Sequence, residues 1–488
     1  PHSRFIPMLA PGTLMAPEPA VAADSPASRV LMSRQPSVEE RMETGKALRE
    51  TVPRSSHGEF VRHRGVDPLR ILREQAKTRI PQLVPLRHAR MLQSPFAFLR
   101  GSAAVMAADL ASTPQTGLQV ELCGDMHVSN FGVFASAERQ LVFAINDFDE
   151  CQFGPWEWDV KRLAASAFVA ARHLGGDTST CDEAARAIVG SYQKRLRRYA
   201  GMGHLAVWYD SIDSDTLIAS LSPALHERAH ALLNKARRRN HLQVLDKMTD
   251  LVDNAHQIVE QRPFIVRASH TSMGRPVQEA INLFLEAYFR TLAPDRQMLL
   301  ERYSVLDVAH KVVGVGSVGT RCWVVLLQGR DTEDPLFLQI KEAQPSVLSP
   351  YAPAPLPTSG NQGERVVVGQ RLIQGSPDIF LGWGEVDGVH FYVRQLRDMK
   401  GSIDLEPGGI SPKGFIEYCK LCGWALALAH AKSGDAAMLS GYIGKSDEFE
   451  DAIARFSASC AEQTVQDHAT MAAAARAGKI KVAEGTGR

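Results

Sequence analysis

At Ser304 the hydrophobic period of this chain changes, and that change constrains the fold more than any other feature. From Asp159 to about Thr291 almost every segment reads as amphipathic helix, including Val160 to Leu174, Asp182 to Arg198 and Val277 to Leu292. From Ser304 the apolar residues run as β-rich, glycine-punctuated segments, in VVGVGSVGTRCWVVLL, PLFLQIKEA and HFYVRQL (His390 to Leu396). Helical texture returns after Ser411, first as FIEYCKLCGWALALAHA (Phe415 to Ala431) and then from Glu448 to Ala475. The pattern predicts an α+β chain in which a small β-rich part is flanked by helices.

The segments before Asp159 are more varied. Residues 1–60 are rich in Pro, Ser, Ala and charge and read as a flexible arm that runs into a first helix, with order expected from near Val66. Helical spacing follows from Asp67 to Ala111, then two short strands, LQVELC (Leu118 to Cys123) and LVFAIN (Leu141 to Asn146). The organisation expected is an arm at 1–60, a helical unit at 61–303, a β-rich unit at 304–400, and helices at 401–488 that complete the helical unit.

Composition narrows the function classes. With 55 basic and 54 acidic residues among 488, no global charge excess selects nucleic acid or a membrane surface, so any anion site is local. Two basic clusters, Lys194, Arg195, Arg197 and Arg198, and Arg237 to Arg239, lie on helical segments without an aromatic platform and read as solvated faces. No run approaches the ~18 apolar residues of a membrane span, and Pro7, Pro11, Pro17, Pro19 and Pro26 interrupt any signal-peptide core. Seven cysteines, without the spacing of a disulfide framework, fit reduced thiols in a cytoplasm. Cys419 and Cys422 have half a zinc spacing, but both fall on a helix and no second pair accompanies them.

The chemistry concentrates between the two early strands. Gly124-Asp125-Met126-His127-Val128-Ser129-Asn130 is followed by LVFAIN and then Asp147-Phe148-Asp149. Any one of these residues alone reads as a turn or cap residue. Together they are a loop bearing Asp and, five positions on, Asn, with a second Asp returned by the next strand. That set can supply a carboxylate beside an acceptor hydroxyl and oxygen ligands for magnesium, which phosphoryl transfer requires.

The stretch resembles the catalytic loop and metal-binding motif of aminoglycoside phosphotransferases and protein kinases. Asp125, His127 and Asn130 match that loop, with Cys123 in place of its leading His. Gly154 and Asp159 fall at the offsets, seven and twelve after Asp147, that the aminoglycoside-type pattern carries. The resemblance implies Asp125 as catalytic base or acceptor-orienting group, with His127 beside it. It implies Asn130 and Asp147 as magnesium ligands, and Asp159 as a brace at its helix start.

Gly314, Gly316, Ser317 and Gly319 belong to a G-x-G-x-x-G run that leads into a strand and not into a helix. A strand, Gly-rich turn and strand resemble the phosphate-covering loop of kinases. On that resemblance Lys341 would pair with the phosphates of ATP, with Glu364 as the first candidate for its partner and Glu342 the second. The strand ending at Gln395 and Leu396 would offer backbone groups to adenine.

In a kinase these nucleotide elements precede the catalytic loop, whereas here they follow it. A circular permutation accounts for the order, since a site depends on where side chains converge and surface termini can move. It requires a long helix after the β-rich part, which FIEYCKLCGWALALAHAKSGD provides, with Gly434-Asp435 a helix stop. The fold class expected is therefore a two-lobed protein-kinase-like fold, circularly permuted, with a small β-rich nucleotide lobe and a large helical lobe.

From about Val66 onward the chain is also similar to a bacterial family known as domain of unknown function 2252, through FAFLRGSAAVMAADL, CGDMHVSNFG, INDFDE, GPWEWDVKRLAAS, GQRLIQGSPDIFLGW and LALAHAKSGD. Arg100, in FLRGS, is placed to offer a bidentate donor to phosphate or to serve structure. The reading that results is an ATP- and Mg-dependent phosphotransferase acting on a hydroxyl of an unidentified small molecule or peptide. AMP transfer by a kinase fold and a nucleotide-binding pseudokinase are its alternatives.

Overall fold

The computed structural model describes residues 33–483 apart from 240, 254, 272, 273, 313, 315, 353–358, 397 and 398. The fold is mixed α+β, and its two largest groups of buried apolar side chains are separate from one another. The larger core is built on the long helices α1 (Trp156–His173), α2 (Thr178–Ala200), α6 (Pro412–Ser433) and α7 (Glu448–Arg476). Helix α3 (Pro223–Arg238) lies at its edge through Ala229, Leu233 and Ala236.

Helix α1 is buried on nearly every face, which its composition allows. Ala164, Ala165, Ala167, Ala170 and Ala171 keep its surface low enough for α2 and α7 to pack close on either side. On α6, Gly423 meets α2 so closely that a Cβ there would lie 2.2 Å from the Ile188 carbonyl oxygen. Cys419 and Cys422 occupy buried positions of the same helix. Ser411 caps α6 by accepting from the Gly414 N–H, and the helix ends at Gly434. Asp435 then caps the short helix Ala436–Ile443 by accepting from the N–H groups of Ala437 and Met438.

Order begins earlier than expected. Residues 1–32 of the anticipated arm lie outside the described residues. From residue 33 onward, however, the helix Val38–Ala47 starts with a capping box of Ser37 and Glu40 and packs across Ala436–Ile443. Two glycines make that crossing possible: a Cβ on Gly45 would lie 1.9 Å from the Met438 oxygen, and one on Gly441 2.1 Å from the Met42 oxygen. Arg49 then donates to the carbonyls of Tyr442 and Gly441, and Arg54 to that of Ile443. The Pro- and Ser-rich composition hid this, because the apolar periodicity of the helix is weak and its contact is made by backbone.

The second core belongs to an antiparallel six-stranded sheet. The strands before it are β1 (Gln119–Leu122), β2 (Phe131–Ala135), β3 (Leu141–Ile145), β4 (Gln152–Pro155), β5 (Thr249–Val252) and β6 (Ala255–Ile258). The sheet itself contains β7 (Ile265–Val266), β8 (Ser304–Lys311), β9 (Cys322–Gln328), β10 (Pro335–Glu342), β11 (Gly382–Val386) and β12 (Val389–Gln395), in the order β11-β12-β10-β9-β8-β7. Along β10 the side chains alternate. Leu336, Leu338 and Ile340 face one core, while Phe337 faces another together with Val324, Leu326 and Val244.

Two expectations are corrected here. Thr249–Val252, Ala255–Ile258 and Ile265–Val266 are strands and not helix, with Asp253 at φ 49° after β5. Helix α4 (Val277–Phe289) packs on the sheet through Ile281, Phe284 and Tyr288, against Trp323 and Phe391, and not on the helical body. The β-rich unit therefore draws on residues well before 304. Helix α5 (Gln362–Gln374) lies between sheet and body: Gly363 abuts the Phe391 carbonyl and Gly369 the Cys151 thiol. Basic residues read as solvated faces also serve the fold, since the Arg195 guanidinium lies 3.4 Å from the Trp424 ring centre and Arg197 donates to the Gly444 carbonyl.

Replacing Gly441 by Ala is expected to lower unfolding stability in urea by about 1–3 kcal/mol, the usual cost of overpacking. Because the displaced partner is Val38–Ala47, limited proteolysis of Gly441→Ala should cleave near residues 38–50 first.

Candidate functional site

Two β-ribbons bring the informative loops together. Strand β1 pairs with β4 and β2 with β3, so the loop 123–130 and the loop 146–151 leave neighbouring strand ends. They are joined directly: the Asn146 N–H donates to the Asn130 carbonyl at 2.8 Å, and the Cys123 thiol to the Asp147 carbonyl at 3.0 Å. Gly124 has φ 83°, and a Cβ there would sit 2.1 Å from the Glu150 oxygen, so this crossing admits only glycine.

Helix α1 holds the first loop with one stripe of its surface. Asp159, Arg162 and Ser166 recur at i, i+3 and i+7 and share a face. Asp159 accepts from the N–H groups of Cys123 at 2.7 Å and Gly124 at 3.1 Å. Arg162 donates from Nε (3.1 Å) and Nη2 to Oδ1 of Asp125, and Ser166 Oγ accepts from the Val128 N–H at 3.0 Å. Asp159 thus braces the loop, but through the amides of that loop and not those of its own helix.

Asp125 is pushed above the usual carboxylate range by burial, against the opposing pull of Arg162. Its Oδ2 lies 3.8 Å from Nε2 of His127. His127 is buried, with Nδ1 unpartnered, and burial together with Arg100 and Arg162 holds its pKa well below the ordinary value. It is a neutral imidazole that can orient but carries no charge. Asn130 donates its amide N–H to the Asp125 carbonyl at 2.6 Å. Asp147 is likewise raised, first by burial and then by Asp149. Among the described residues it has no cation within ion-pair distance.

Lys341 enters from β10, opposite these loops. Its partner is neither Glu364 nor Glu342 but Asp149, at 2.7 Å. Glu342 is one strand position on, so its side chain leaves the opposite side and pairs with Arg321 at 3.0 Å. Glu364, in the first turn of α5, folds back to accept from Ser359. The neighbouring Arg365 takes the inward position one helix step away and donates to the carbonyls of Asp149, Cys151 and Gln344. Asp149 also accepts from the Tyr392 hydroxyl at 2.6 Å and from the Ser317 hydroxyl at 3.1 Å. Burial would raise the Asp149 carboxyl, but Lys341 and these hydrogen bonds hold it down at about 2.

Strands β8 and β9 form the expected hairpin, with Gly314 and Gly319 at φ 64° and 92° in the turn. Residues 79–90 tether that turn: the Ile80 N–H donates to the Gly319 carbonyl at 2.7 Å, Arg79 to the Val318 carbonyl and Arg90 to the Gly314 carbonyl. Gly316 faces Asp125, its Cβ position being 3.8 Å from Oδ2. The N–H donors of Gln395 and Leu396 are already engaged, by Asp378 and by the Phe337 carbonyl.

Two cavities meet at this seam. One of about 580 Å³ is lined by Asp147, Lys341, Arg394, Gln395 and Leu396, and one of about 220 Å³ by Asp125, His127, Asn130 and Asp149. Asp147, Gly314 and Ser317 line both. The structure therefore gathers Asp125, His127, Asn130, Asp147, Gly314, Gly316, Ser317 and Lys341 and leaves Glu364 outside. Gly319 stands behind the turn, against Arg79. Arg162, Asp149, Arg365 and Tyr392 were not singled out by sequence. The three-residue offset from Asp159 is a signal that points to Arg162, whereas Tyr392 and Arg365 are reached only through strand pairing and helix docking.

The model of the bacterial family described as "uncharacterized protein conserved in bacteria (DUF2252)" matches residues 79–474, and the chain belongs to that family. No curated protein and no solved structure matches it.

Glu150, whose Oε2 accepts from the Val347 N–H, is pushed up to about 7 by burial. Its pKa in an unfolded chain is about 4.3. The folded state therefore holds this proton more tightly, and the stability it contributes below pH ~4 is lost as pH rises to ~7. Between pH 5 and 8, wild type is expected to lose on the order of 1–2 kcal/mol more than Glu150→Gln in urea titrations, allowing for partial solvent screening.

Proposed function

We propose that this chain is an ATP- and Mg-dependent phosphotransferase, moving the γ-phosphate to a hydroxyl of a small molecule or peptide. We infer for it a kinase-like, circularly permuted arrangement, in which the body that carries Asp125 precedes the six-stranded sheet that carries Lys341. Helices α6 and α7 then return to the body. The observation that carries the reading is the Lys341 to Asp149 pair at 2.7 Å. Residues 192 positions apart meet beside Asp147, Asn130 and Asp125, at the junction of two cavities.

The residues fit magnesium. Asp147 is a half-buried carboxyl without a cationic partner among the described residues, in a loop bonded to that of Asn130. No three His, Cys, Asp or Glu side chains among the described residues form a metal cluster. Magnesium does not need one, because it takes one or two carboxylates and completes its shell with water and phosphate oxygens. When bound it neutralises phosphate charge as the phosphoryl group moves.

The protein's own residues have distinct tasks in this reading. Arg162 fixes Oδ1 of Asp125, leaving Oδ2 to orient the acceptor hydroxyl and receive its proton. The acceptor oxygen bonds to the γ-phosphorus as the bond to the ADP oxygen breaks. Lys341, kept cationic by Asp149, faces the larger cavity, where nucleotide phosphates would lie. With their N–H groups engaged, Gln395 and Leu396 would contact the base through side chains and carbonyls.

Labelled phosphate transfer from [γ-³²P]ATP with magnesium, using bacterial metabolite extract as acceptor source, tests the proposal. Asp147→Asn and Lys341→Met are each expected to reduce transfer about 10²–10³-fold, the scale of losing one electrostatic contact to the transition state. Adenylated product would favour AMP transfer, and tight nucleotide binding without either product would favour a pseudokinase. A wild-type chain that binds no nucleotide overturns all three.

A further inference from the structure

The cavity beside Asp125 is walled on its far side by three arginines from consecutive short helical segments: Arg79 before the turn Pro81–Leu83, Arg87 on Val84–Met91 and Arg100 on Pro95–Gly101. Their guanidinium groups are not spent on carboxylates. Among the described residues none of the three has an ion-pair partner within 4.0 Å. Nε of Arg79, Nε and Nη1 of Arg87, and Nε of Arg100 are buried and without a hydrogen-bond partner. Arg87 uses only Nη2, toward the Gly101 carbonyl at 2.7 Å and Gln75 at 3.1 Å. Arg100 lies 5.8 Å from the centre of the Phe96 ring.

Of the acidic groups lining the same cavity, all but Asp147 are engaged. Asp125 is held by Arg162, Asp149 by Lys341 and Tyr392, Glu342 by Arg321, and Glu150 by the Val347 N–H. What remains without an ion-pair partner among the described residues is Asp147, which also lines the larger cavity, and the three arginines. Burial lowers the pKa of all three arginines, with nearby carboxylates pulling the other way from a distance, and a guanidinium does not give up its proton in a protein, so three desolvated charges are met by no direct ion pair among the described residues. Such an arrangement is complementary to an oxyanion, which takes several charge-assisted hydrogen bonds from planar donors.

We propose that the 220 Å³ cavity is the acceptor site, and that the acceptor is a hydroxyl compound carrying a phosphate or carboxylate group, which Arg79, Arg87 and Arg100 bind while Asp125 faces the hydroxyl. This rests on the phosphotransferase reading.

The test titrates inorganic phosphate into the full chain by calorimetry, and separately titrates a fluorescent ATP analogue with magnesium. Wild type should bind phosphate, Arg100→Gln should weaken it about tenfold or more, the scale of one charge-assisted bond, and Arg100→Lys should restore part of it. The analogue's affinity should stay within about twofold in all three, since Arg100 lines only the smaller cavity. Arg87→Gln repeats the test at a second position, and Arg100→Lys keeps it informative where Arg87→Gln fails to fold. Unchanged phosphate affinity in Arg100→Gln overturns the proposal. So does a parallel loss of analogue binding, which would assign the arginines to the nucleotide's own phosphates. If wild type binds phosphate through Arg100 but no ATP analogue, the anion site stands and the phosphotransferase reading falls.

Discussion

The site depends on a buried ion pair that spans two parts of the chain. Lys341 is on the central strand of the sheet and only 3% exposed, and Asp149 is on a loop of the helical body. Neither charge would tolerate its position alone, since burial lowers the pKa of the amine and raises that of the acid. Each is restored by the other, and Tyr392 and Ser317 satisfy the remaining lone pairs of the carboxylate. Removing either partner leaves an uncompensated charge at the seam, where single deletions are most costly. The pair therefore fixes the relation of β10 to the Asp125 loop.

A second constraint operates on the body side. Helix α1 is buried on nearly every face, and its polar stripe of Asp159, Arg162 and Ser166 is buried with it. The loop 123–130 has no regular structure of its own beyond one short 3₁₀ turn, and it borrows its shape from that stripe. A loop held this way presents Asp125 and Asn130 on a rigid element, which suits a group whose position has to be accurate to a fraction of an ångström. Among the described residues the arginines at 79, 87 and 100 and the carboxyl of Asp147 have no ion-pair partner, and the same frame holds them in place. They are also the places where a ligand has something to offset.

Much of the element order was legible. Helices α1, α2, α6 and α7 lie where apolar spacing predicts them, and β1, β3 and the β8–β9 hairpin where strand texture and glycine do. Reading failed where local pattern is not what decides. Val38–Ala47 is ordered by a glycine crossing in which Gly45 meets Met438 and Gly441 meets Met42, at opposite ends of the described chain, and α4 joined the sheet because its apolar face found Trp323 and Phe391. The partner of Lys341 was misread because Glu364 and Glu342 are near it in sequence and on an adjacent element. One helix step and one strand position turn them away.

The sequence by itself determined which residues can carry chemistry here: Asp125, Asn130 and Asp147 at their spacing, a Gly-rich hairpin, and a lysine on the strand that follows. Those are local properties of composition and offset. Only the tertiary structure decided the pairing. Asp149 and not a glutamate meets Lys341, Arg365 and not Glu364 faces inward, and Arg79, Arg87 and Arg100 line one small cavity without an ion-pair partner among the described residues. The physical reason is that charge compensation in a buried site depends on distances of a few ångströms between segments hundreds of residues apart, and the sequence does not encode those distances locally.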